Sequence, residues 1–266
     1  MKPVWGLGIA GEEQFSLLPS VLPEEFSFLE IPGDMLESPG IRKELKIYLS
    51  KSRKALVIRD ILPVHLVSAA PLLPLHLKIE FDQKFRSRCE TASRFGCHFI
   101  SAEFNFVRAF SETIYRKQLL NLLRSISGIL EEFKLKMLLP VHFPADGCAE
   151  SFAEFVKLKK ELFYPGFHFL LNCRYHEDEF DDMLEKVVSE LSLDRRFWRL
   201  SCMPEPGTGL DVDVLEKLRP VWENISGDMP ACVCFEPGNA APDQILVNAL
   251  LRMLKKYNTF HETGTL

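Results

Sequence analysis

The chain has 266 residues, of which 47% are hydrophobic, and its 32 Lys and Arg against 37 Asp and Glu give a net charge of −5. This composition is typical of folded globular proteins and excludes disordered, coiled-coil and collagen-like chains. A negatively charged chain lacks the basic field that binds nucleic-acid phosphates, so we expect no nucleic-acid partner.

No segment of the sequence has the pattern of a membrane span or a secretory signal. The longest apolar stretch, residues 61–77, contains two His and three Pro, which indicates buried segments and their connections. Residues 1–13 contain no continuous apolar region and no cleavage site of small residues. We therefore expect a cytoplasmic protein without a membrane partner.

Short runs rich in Val, Ile, Leu and Phe recur along the chain, each followed by a helical pattern. Residues 111–133 and 177–193, for example, carry apolar residues three or four positions apart. Strand followed by helix, repeated eight times, predicts an α/β protein whose parallel strands close into a (β/α)8 TIM barrel. We predict strands at residues 4–10, 25–31, 74–80, 98–104, 136–143, 166–173, 197–203 and 230–236.

Two segments compete for the third strand, because residues 54–66 are as strand-like as residues 73–80. We favour the later segment, since residues 82–96 then form the following helix and Gly96 ends it. No linker or low-complexity tract interrupts the chain. We therefore expect one domain, residues 1–258, followed by a tail of residues 259–266.

The cysteines indicate reduced, buried thiols rather than disulfides or a zinc site. Their number, seven, is odd, and no pair has the C-x-x-C spacing of zinc or redox motifs. Cys232 and Cys234 share one face of the last predicted strand.

The last predicted strand also has the clearest alternation of inward and outward residues. Val233 and Phe235 suit the surrounding helices, which leaves Cys234 and Glu236 facing the barrel interior. Active sites of this fold lie at the carboxyl ends of the strands, so Glu236 should lie at the barrel mouth. Applied to the other strands, the same alternation predicts a mouth that contains Glu30, Glu80, Glu103, His142, Asn172 and Glu236, with His76 deeper along the third strand.

Carboxylates beside a His could bind a divalent cation, or could raise one another's pKa for acid–base work. The alternative is a water-filled mouth whose polar residues only bond one another. Residues 206–211, PGTGLD, could cradle a phosphate, although a tight turn with Asp211 as a helix N-cap explains them as well.

Two late segments carry a family resemblance. Residues 206–218, PGTGLDVDVLEKL, and residues 231–238, ACVCFEPG, resemble the C-terminal signature of the xylose isomerase-like TIM barrels. That family includes sugar phosphate isomerases, sugar epimerases and AP-endonuclease-like enzymes. Residues 94–104, RFGCHFISAEF, are similar to its central strand.

The resemblance implies a metal site built from four strands: Glu on the fifth, Asp or His on the sixth, His or Gln on the seventh and Glu on the eighth. Glu236 matches the last position. The fifth strand offers His142, the sixth offers Asn172, and the seventh offers Ser201 or Cys202 instead of His. An amide brings no charge to offset the desolvation of an ion, so the usual ligand set is incomplete. The cofactor is therefore unknown, and a divalent metal would depend on Glu236 and His142.

The resemblance implies a sugar isomerase or epimerase that acts on a small carbohydrate by acid–base proton transfer, with an eroded metal site. The alternative is a non-catalytic carbohydrate-binding or interaction protein that has lost this chemistry. An AP-endonuclease-like activity is disfavoured, because it would need a multi-His metal cluster and a basic surface. The implied catalytic residues are Glu236 and Glu103, and the implied substrate-binding residues are His142, Asn172, Glu30, Glu80 and His76.

Overall fold

A computed structural model describes residues 4–143, 157–158, 160–162, 164–174, 197–201, 232–236 and 244–263. Eight parallel strands pair in chain order, and the last pairs with the first to close a barrel. This confirms the predicted (β/α)8 class. The strands are β1 Val4–Gly8, β2 Phe26–Pro32, β3 Ala55–Arg59, β4 Phe99–Ser101, β5 Lys136–Phe143, β6 Phe167–Arg174, β7 Phe197–Ser201 and β8 Cys232–Glu236.

Helices follow the strands in the described part of the chain and cover the outside of the barrel. Within that part, no helix is long and apolar enough to cross a membrane. The last helix extends past residue 258, where the sequence predicts the tail to begin, and this domain boundary stays a prediction. The helices are α1 Glu12–Leu17, α2 Pro39–Ser52, α3 Val64–Ala69, α4 Leu75–Arg94, α5 Phe106–Ser111, α6 Thr113–Glu132 and α7 Gln244–Thr263.

The third strand is residues 55–59, so the prediction that placed it at residues 73–80 was wrong. β3 pairs with β2 on one side and with β4 on the other, where Ile58 is in register with Ile100. Residues 75–80 instead form the first turns of α4. Leu75, Leu77 and Ile79 alternate in sequence as a strand would, yet they are 77%, 37% and 53% exposed.

The spacing of the buried residues that follow explains why this segment is helical. α4 buries Phe81, Phe85 and Cys89 at intervals of four residues, and this face packs into the main core. His76 and Glu80 are exposed on α4, where Glu80 lies 2.9 Å from the ammonium nitrogen of Lys84. The prediction that His76 and Glu80 face the barrel interior was therefore wrong, and nothing in the described part of the chain supports their substrate-binding role.

The barrel interior contains an apolar layer of side chains. Every strand contributes one side chain to this layer. Cys234 belongs to this layer, whereas Val233 and Phe235 pack outward in the main core, as the alternation of β8 predicts. A cavity of about 190 Å³ lies against the same side chains. The layer consists of Phe28, Val57, Leu138, Leu170, Phe197 and Cys234, with Val4 and Phe99 packed against them.

Among the described side chains, Cys89, Cys97 and Cys234 are buried and form no disulfide. Burial raises the pKa of both Cys89 and Cys97 to about 12, so these thiols stay protonated and unreactive at neutral pH. The prediction of reduced, buried thiols is confirmed for these three residues.

Candidate active site at the barrel mouth

A buried ion pair spans the barrel interior one layer above the apolar side chains. Nε and Nη2 of Arg199 lie 2.9 and 2.8 Å from Oε1 of Glu30, and both side chains are only 3% exposed. Glu30 follows Phe28 by two residues on β2, and Arg199 follows Phe197 by two on β7, which sets their common level. Because β2 and β7 are not neighbours, the pair links opposite parts of the barrel.

The alternation of β7 directs Arg199 inward. Trp198 and Leu200 pack outward in the main core, which leaves Phe197 and Arg199 on the inner face. The backbone of Arg199 is in register with Asn172 on β6, and that of Ser201 is in register with Glu236 on β8. The seventh strand therefore contributes a guanidinium to the interior, and the choice between Ser201 and Cys202 lies outside the described side chains.

Asp60 is the first residue after β3 and is held by the ends of two neighbouring strands. Its backbone N–H donates to Oγ of Ser101 at 3.2 Å, and the N–H of Ile61 donates to the Ser101 carbonyl at 2.9 Å. Asp60 has a φ of 48°, in the left-handed region that Asp tolerates better than most residues. A Cβ on Gly33 would lie 2.6 Å from the Asp60 carbonyl oxygen, so only glycine fits there.

Burial raises the pKa of Asp60 to about 6. The positive charges of Arg199 and Arg59 lower this pKa, and the negative charges of Glu103 and Glu30 raise it. A carboxyl group with a pKa near neutrality can both accept and donate a proton at working pH, which is the property that general acid–base catalysis requires.

Arg59 lies beside this carboxyl group at the end of β3. Its Nη2 donates to the carbonyl oxygen of Ile9 at 3.1 Å, and its Nε lies 3.6 Å from Oδ2 of Asp60. The bond to Ile9 ties the guanidinium to the residue that follows β1. The mouth therefore contains two buried arginines among at least three carboxylates.

The predicted mouth residues are brought together in part. Glu103 is half-buried in the loop after β4 and lies close enough for its charge to act on Asp60. Glu30 lies in the interior as predicted, but its carboxylate is bound by Arg199. Asn172 is buried and in register with His142 of β5.

Glu236 is the last residue of β8, two residues beyond the inward-facing Cys234. The side chains of Glu236 and His142 are outside the description, so their catalytic and metal-binding roles stay predictions. Residues 206–211, which the sequence marks as an anion cradle or a turn, also lie outside the described residues.

Sequence reasoning missed Arg59, Asp60 and Arg199. Arg59 and Asp60 lie in the middle of residues 54–66, the segment that was not chosen as the third strand, and the alternation of β3 would have directed Val57 and Arg59 inward. Arg199 interrupts an otherwise apolar strand, and a buried Arg needs an acidic partner. That signal was present in the sequence, although it does not identify Glu30 as the partner.

The described residues of the mouth differ from the metal site that the resemblance implies. Within the described residues, no group of three His, Cys, Asp or Glu could hold a metal ion. The inner face of β5 carries Pro140, whose side chain has no atom that can bind a metal ion. β6 carries the uncharged Asn172, and β7 carries the cation of Arg199. We therefore derive no chemical step through a metal ion.

Comparison with known proteins identifies the fold. No family model matches the sequence, and no curated protein is detectably similar to it. A D-tagatose 3-epimerase-like protein of known structure superposes with a TM-score of 0.62 at 14% identity, covering 100% of both chains. The 3-keto-D-glucoside 4-epimerase of E. coli gives 0.59 at 12% identity over 96% of this chain and 100% of its own.

A third solved structure, that of the IOLI protein with a zinc atom, gives a TM-score of 0.59 at 13% identity over 97% of this chain and 99% of the other. The chain thus shares the TIM-barrel fold of these three proteins. At these identities the likeness establishes the fold and leaves the chemistry to the residues of the mouth.

Proposed function

We propose that the barrel mouth binds a small carbohydrate and exchanges a proton at the carbon next to its carbonyl group, as a sugar isomerase or epimerase does. One observation carries this proposal. Asp60, whose pKa is raised to about 6, is fixed at the carboxyl end of β3 within range of the charges of Glu103, Arg59 and Arg199. The carboxyl ends of the strands form the catalytic face of this fold.

The proposed reaction needs one group that removes a proton and one that returns it. A carboxylate takes the proton from carbon, the electron pair of the C–H bond forms a C=C bond, and the π pair of the carbonyl group moves onto the carbonyl oxygen. In epimerisation the second carboxyl group then donates a proton to the opposite face of the same carbon, and the carbonyl group forms again. In isomerisation the former carbonyl carbon receives the proton, while a second proton passes from the hydroxyl oxygen of the first carbon to the former carbonyl oxygen. Asp60 and Glu103 are two carboxyl groups whose charges interact at this mouth, and Glu236 is the third candidate.

Negative charge on the carbonyl oxygen requires a positive partner while the proton is away from carbon. Arg59 and Arg199 supply guanidinium groups at this end of the barrel, and fixed cations at a buried site stabilise developing charge more strongly than water does. Asn172 and His142 are proposed to orient the sugar hydroxyls. Glu30 is proposed to act indirectly, by holding Arg199.

The fold supports the choice of substrate class. Solved structures of this fold include a D-tagatose 3-epimerase-like protein and a D-psicose 3-epimerase in the presence of D-fructose. D-fructose, D-tagatose and D-psicose are therefore the substrates to try first.

A carbohydrate-binding protein without catalysis is the second candidate. The observation that favours it is the Glu30–Arg199 pair, which engages an interior carboxylate that would otherwise be available for chemistry. Such a protein would bind a sugar at the mouth and release it unchanged.

The two candidates are separated by incubating the purified chain with each of the three sugars and analysing the products by chromatography. We expect a new epimer or isomer from at least one sugar, and at least a hundredfold slower formation with Asp60→Asn, since a positioned acid or base contributes about 10²–10⁴-fold. The matched control is Glu90→Gln, which removes an exposed carboxylate on α4 and should retain the wild-type rate.

Thermal stabilisation by a sugar without any product would favour the binding protein. Neither stabilisation nor product with any of the three sugars would contradict the proposed substrate class. Equal rates for wild type and Asp60→Asn would remove Asp60 from the mechanism.

A further inference from the structure

We propose that the guanidinium of Arg199 takes the place of the divalent metal ion that the family resemblance implies, so that the cation of this site is part of the chain. The chemical meaning of this inference rests on the proposed function, because both concern the same mouth. Its test needs no substrate, so the two can fail separately.

Arg199 lies on one of the strands from which the resemblance implies a metal ligand. That ligand would be a His or Gln on the seventh strand, where the sequence offers Ser201 or Cys202, and Arg199 lies two residues before Ser201 and is 3% exposed. The backbone of Arg199 is in register with Asn172, the residue that stands where the sixth strand would provide an acid. A buried permanent cation thus lies beside a neutral amide on two of the four strands that would form the metal site.

The guanidinium of Arg199 is directed into the barrel interior. Two of its nitrogens lie within 3 Å of Oε1 of Glu30, which belongs to the non-adjacent strand β2. Arg199 also affects the carboxyl group of Asp60 more strongly than does Arg59, the neighbour of Asp60 in sequence. The charge of Arg199 therefore lies in the interior between carboxylates from the second strand and the third, and not against its own strand.

The charge of Arg199 also opposes the binding of a second cation. A divalent ion in this interior would share a buried space with a permanent positive charge, and water would screen their repulsion poorly. It would also have to compete with Arg199 for the carboxylate of Glu30, and Asn172 would add no charge to offset the desolvation of the ion.

This arrangement changes how the mouth could bind a sugar oxygen. A guanidinium offers hydrogen-bond donors in a fixed plane and keeps its charge at every physiological pH. It can therefore hold negative charge that develops on a carbonyl oxygen without any supply of metal. Glu30 becomes a positioning residue, since its contact is with Arg199.

The experiment measures metal binding to the full chain after treatment with a chelator and its removal. Mn²⁺, Co²⁺ and Zn²⁺ are each titrated into the wild-type protein and into Arg199→Gln by calorimetry, with folding checked by circular dichroism. The control is Arg94→Gln, which removes an exposed guanidinium from α4. For the wild type and the control we expect dissociation constants weaker than about 1 mM.

Arg199→Gln removes the positive charge and leaves Glu30 in place, so we expect its affinity for at least one of these ions to rise at least tenfold. If that variant does not fold, Arg199→Lys keeps the charge and should remain as metal-free as the wild type. The inference is overturned if the wild-type chain binds one equivalent of metal that Glu236→Gln or His142→Ala abolishes. It is equally overturned if folded Arg199→Gln binds these ions no better than the wild type.

Discussion

Asp60 combines a strained backbone, partial burial and a raised pKa at one position. Its φ of 48° is held by Ser101 on one side and by the close approach of Gly33 on the other. Such a conformation is costly and persists only where the surroundings fix it, which is common at functional sites. The pH dependence of the unfolding free energy therefore reports on the environment of Asp60 at the mouth.

The folded pKa of Asp60, about 6, lies above the ordinary value of 3.8, so the folded state holds the proton more tightly than the unfolded state. The stability that protonation provides is fully present below about pH 4 and is lost as the pH rises through about 6. Asp60→Asn is neutral at every pH. Relative to this variant, we expect the wild type to lose at most about 3 kcal/mol of unfolding free energy between pH 4 and pH 7.5.

The measurement is urea unfolding of both proteins across that pH range, with Glu90→Gln as the exposed carboxylate control. The difference in unfolding free energy between wild type and Glu90→Gln should stay nearly constant with pH. If the difference in unfolding free energy between wild type and Asp60→Asn were equally constant, the pKa of Asp60 would not be raised.

At the scale of strands and helices, sequence patterns predict most elements but fail where two segments have similar composition. Seven of the eight predicted strands overlap observed ones, because buried parallel strands are nearly continuous apolar runs. The prediction of a strand at residues 75–80 failed because it considered only the alternation of Leu75, Leu77 and Ile79. The buried residues that follow, Phe81, Phe85 and Cys89, have the spacing of a helix. Residues 55–59 form the third strand because they pair with β2 and β4. Such pairing between segments that are distant in sequence is not visible in a local pattern.

The contact between β1 and β2 gives a prediction at this scale. A Cβ on Gly6 would lie 2.1 Å from the ring of Phe28, so Gly6→Ala must displace that ring within the interior layer. We expect a loss of about 1–3 kcal/mol in unfolding free energy, towards the lower end because the neighbouring cavity gives the ring some room.

Gly128→Ala is the matched control. Gly128 lies inside α6, and a Cβ there would meet nothing within 4 Å. Replacing a helical Gly by Ala in open space should stabilise the protein by about 0.5–1 kcal/mol. Urea unfolding at pH 7 compares the two, and a Gly6→Ala protein as stable as the wild type would contradict the described packing of Phe28.

Across the whole molecule, barrel closure is what assembles the site. Glu30 and Arg199 are 169 residues apart in sequence, and they meet because β2 and β7 contribute to one interior. The alternation of β2 and β8 could be read from the sequence. Glu103 could be assigned to the mouth, although the sequence predicts it inside the fourth strand and the structure has it in the loop after that strand. Which cation meets which carboxylate could not be read, because it depends on side chains that reach across the barrel from non-adjacent strands.

The central claim is that the carboxyl groups of this mouth move a proton of a bound sugar. The most direct measurement is deuterium incorporation from D2O into D-fructose, D-tagatose and D-psicose, followed by NMR, because exchange reveals proton removal even when no net product accumulates. We expect wild-type protein to introduce deuterium at the carbon next to the carbonyl group of at least one sugar, and Asp60→Asn to abolish this exchange. Folded wild-type protein that leaves all three sugars free of deuterium would contradict the claim, as would exchange at an undiminished rate in Asp60→Asn.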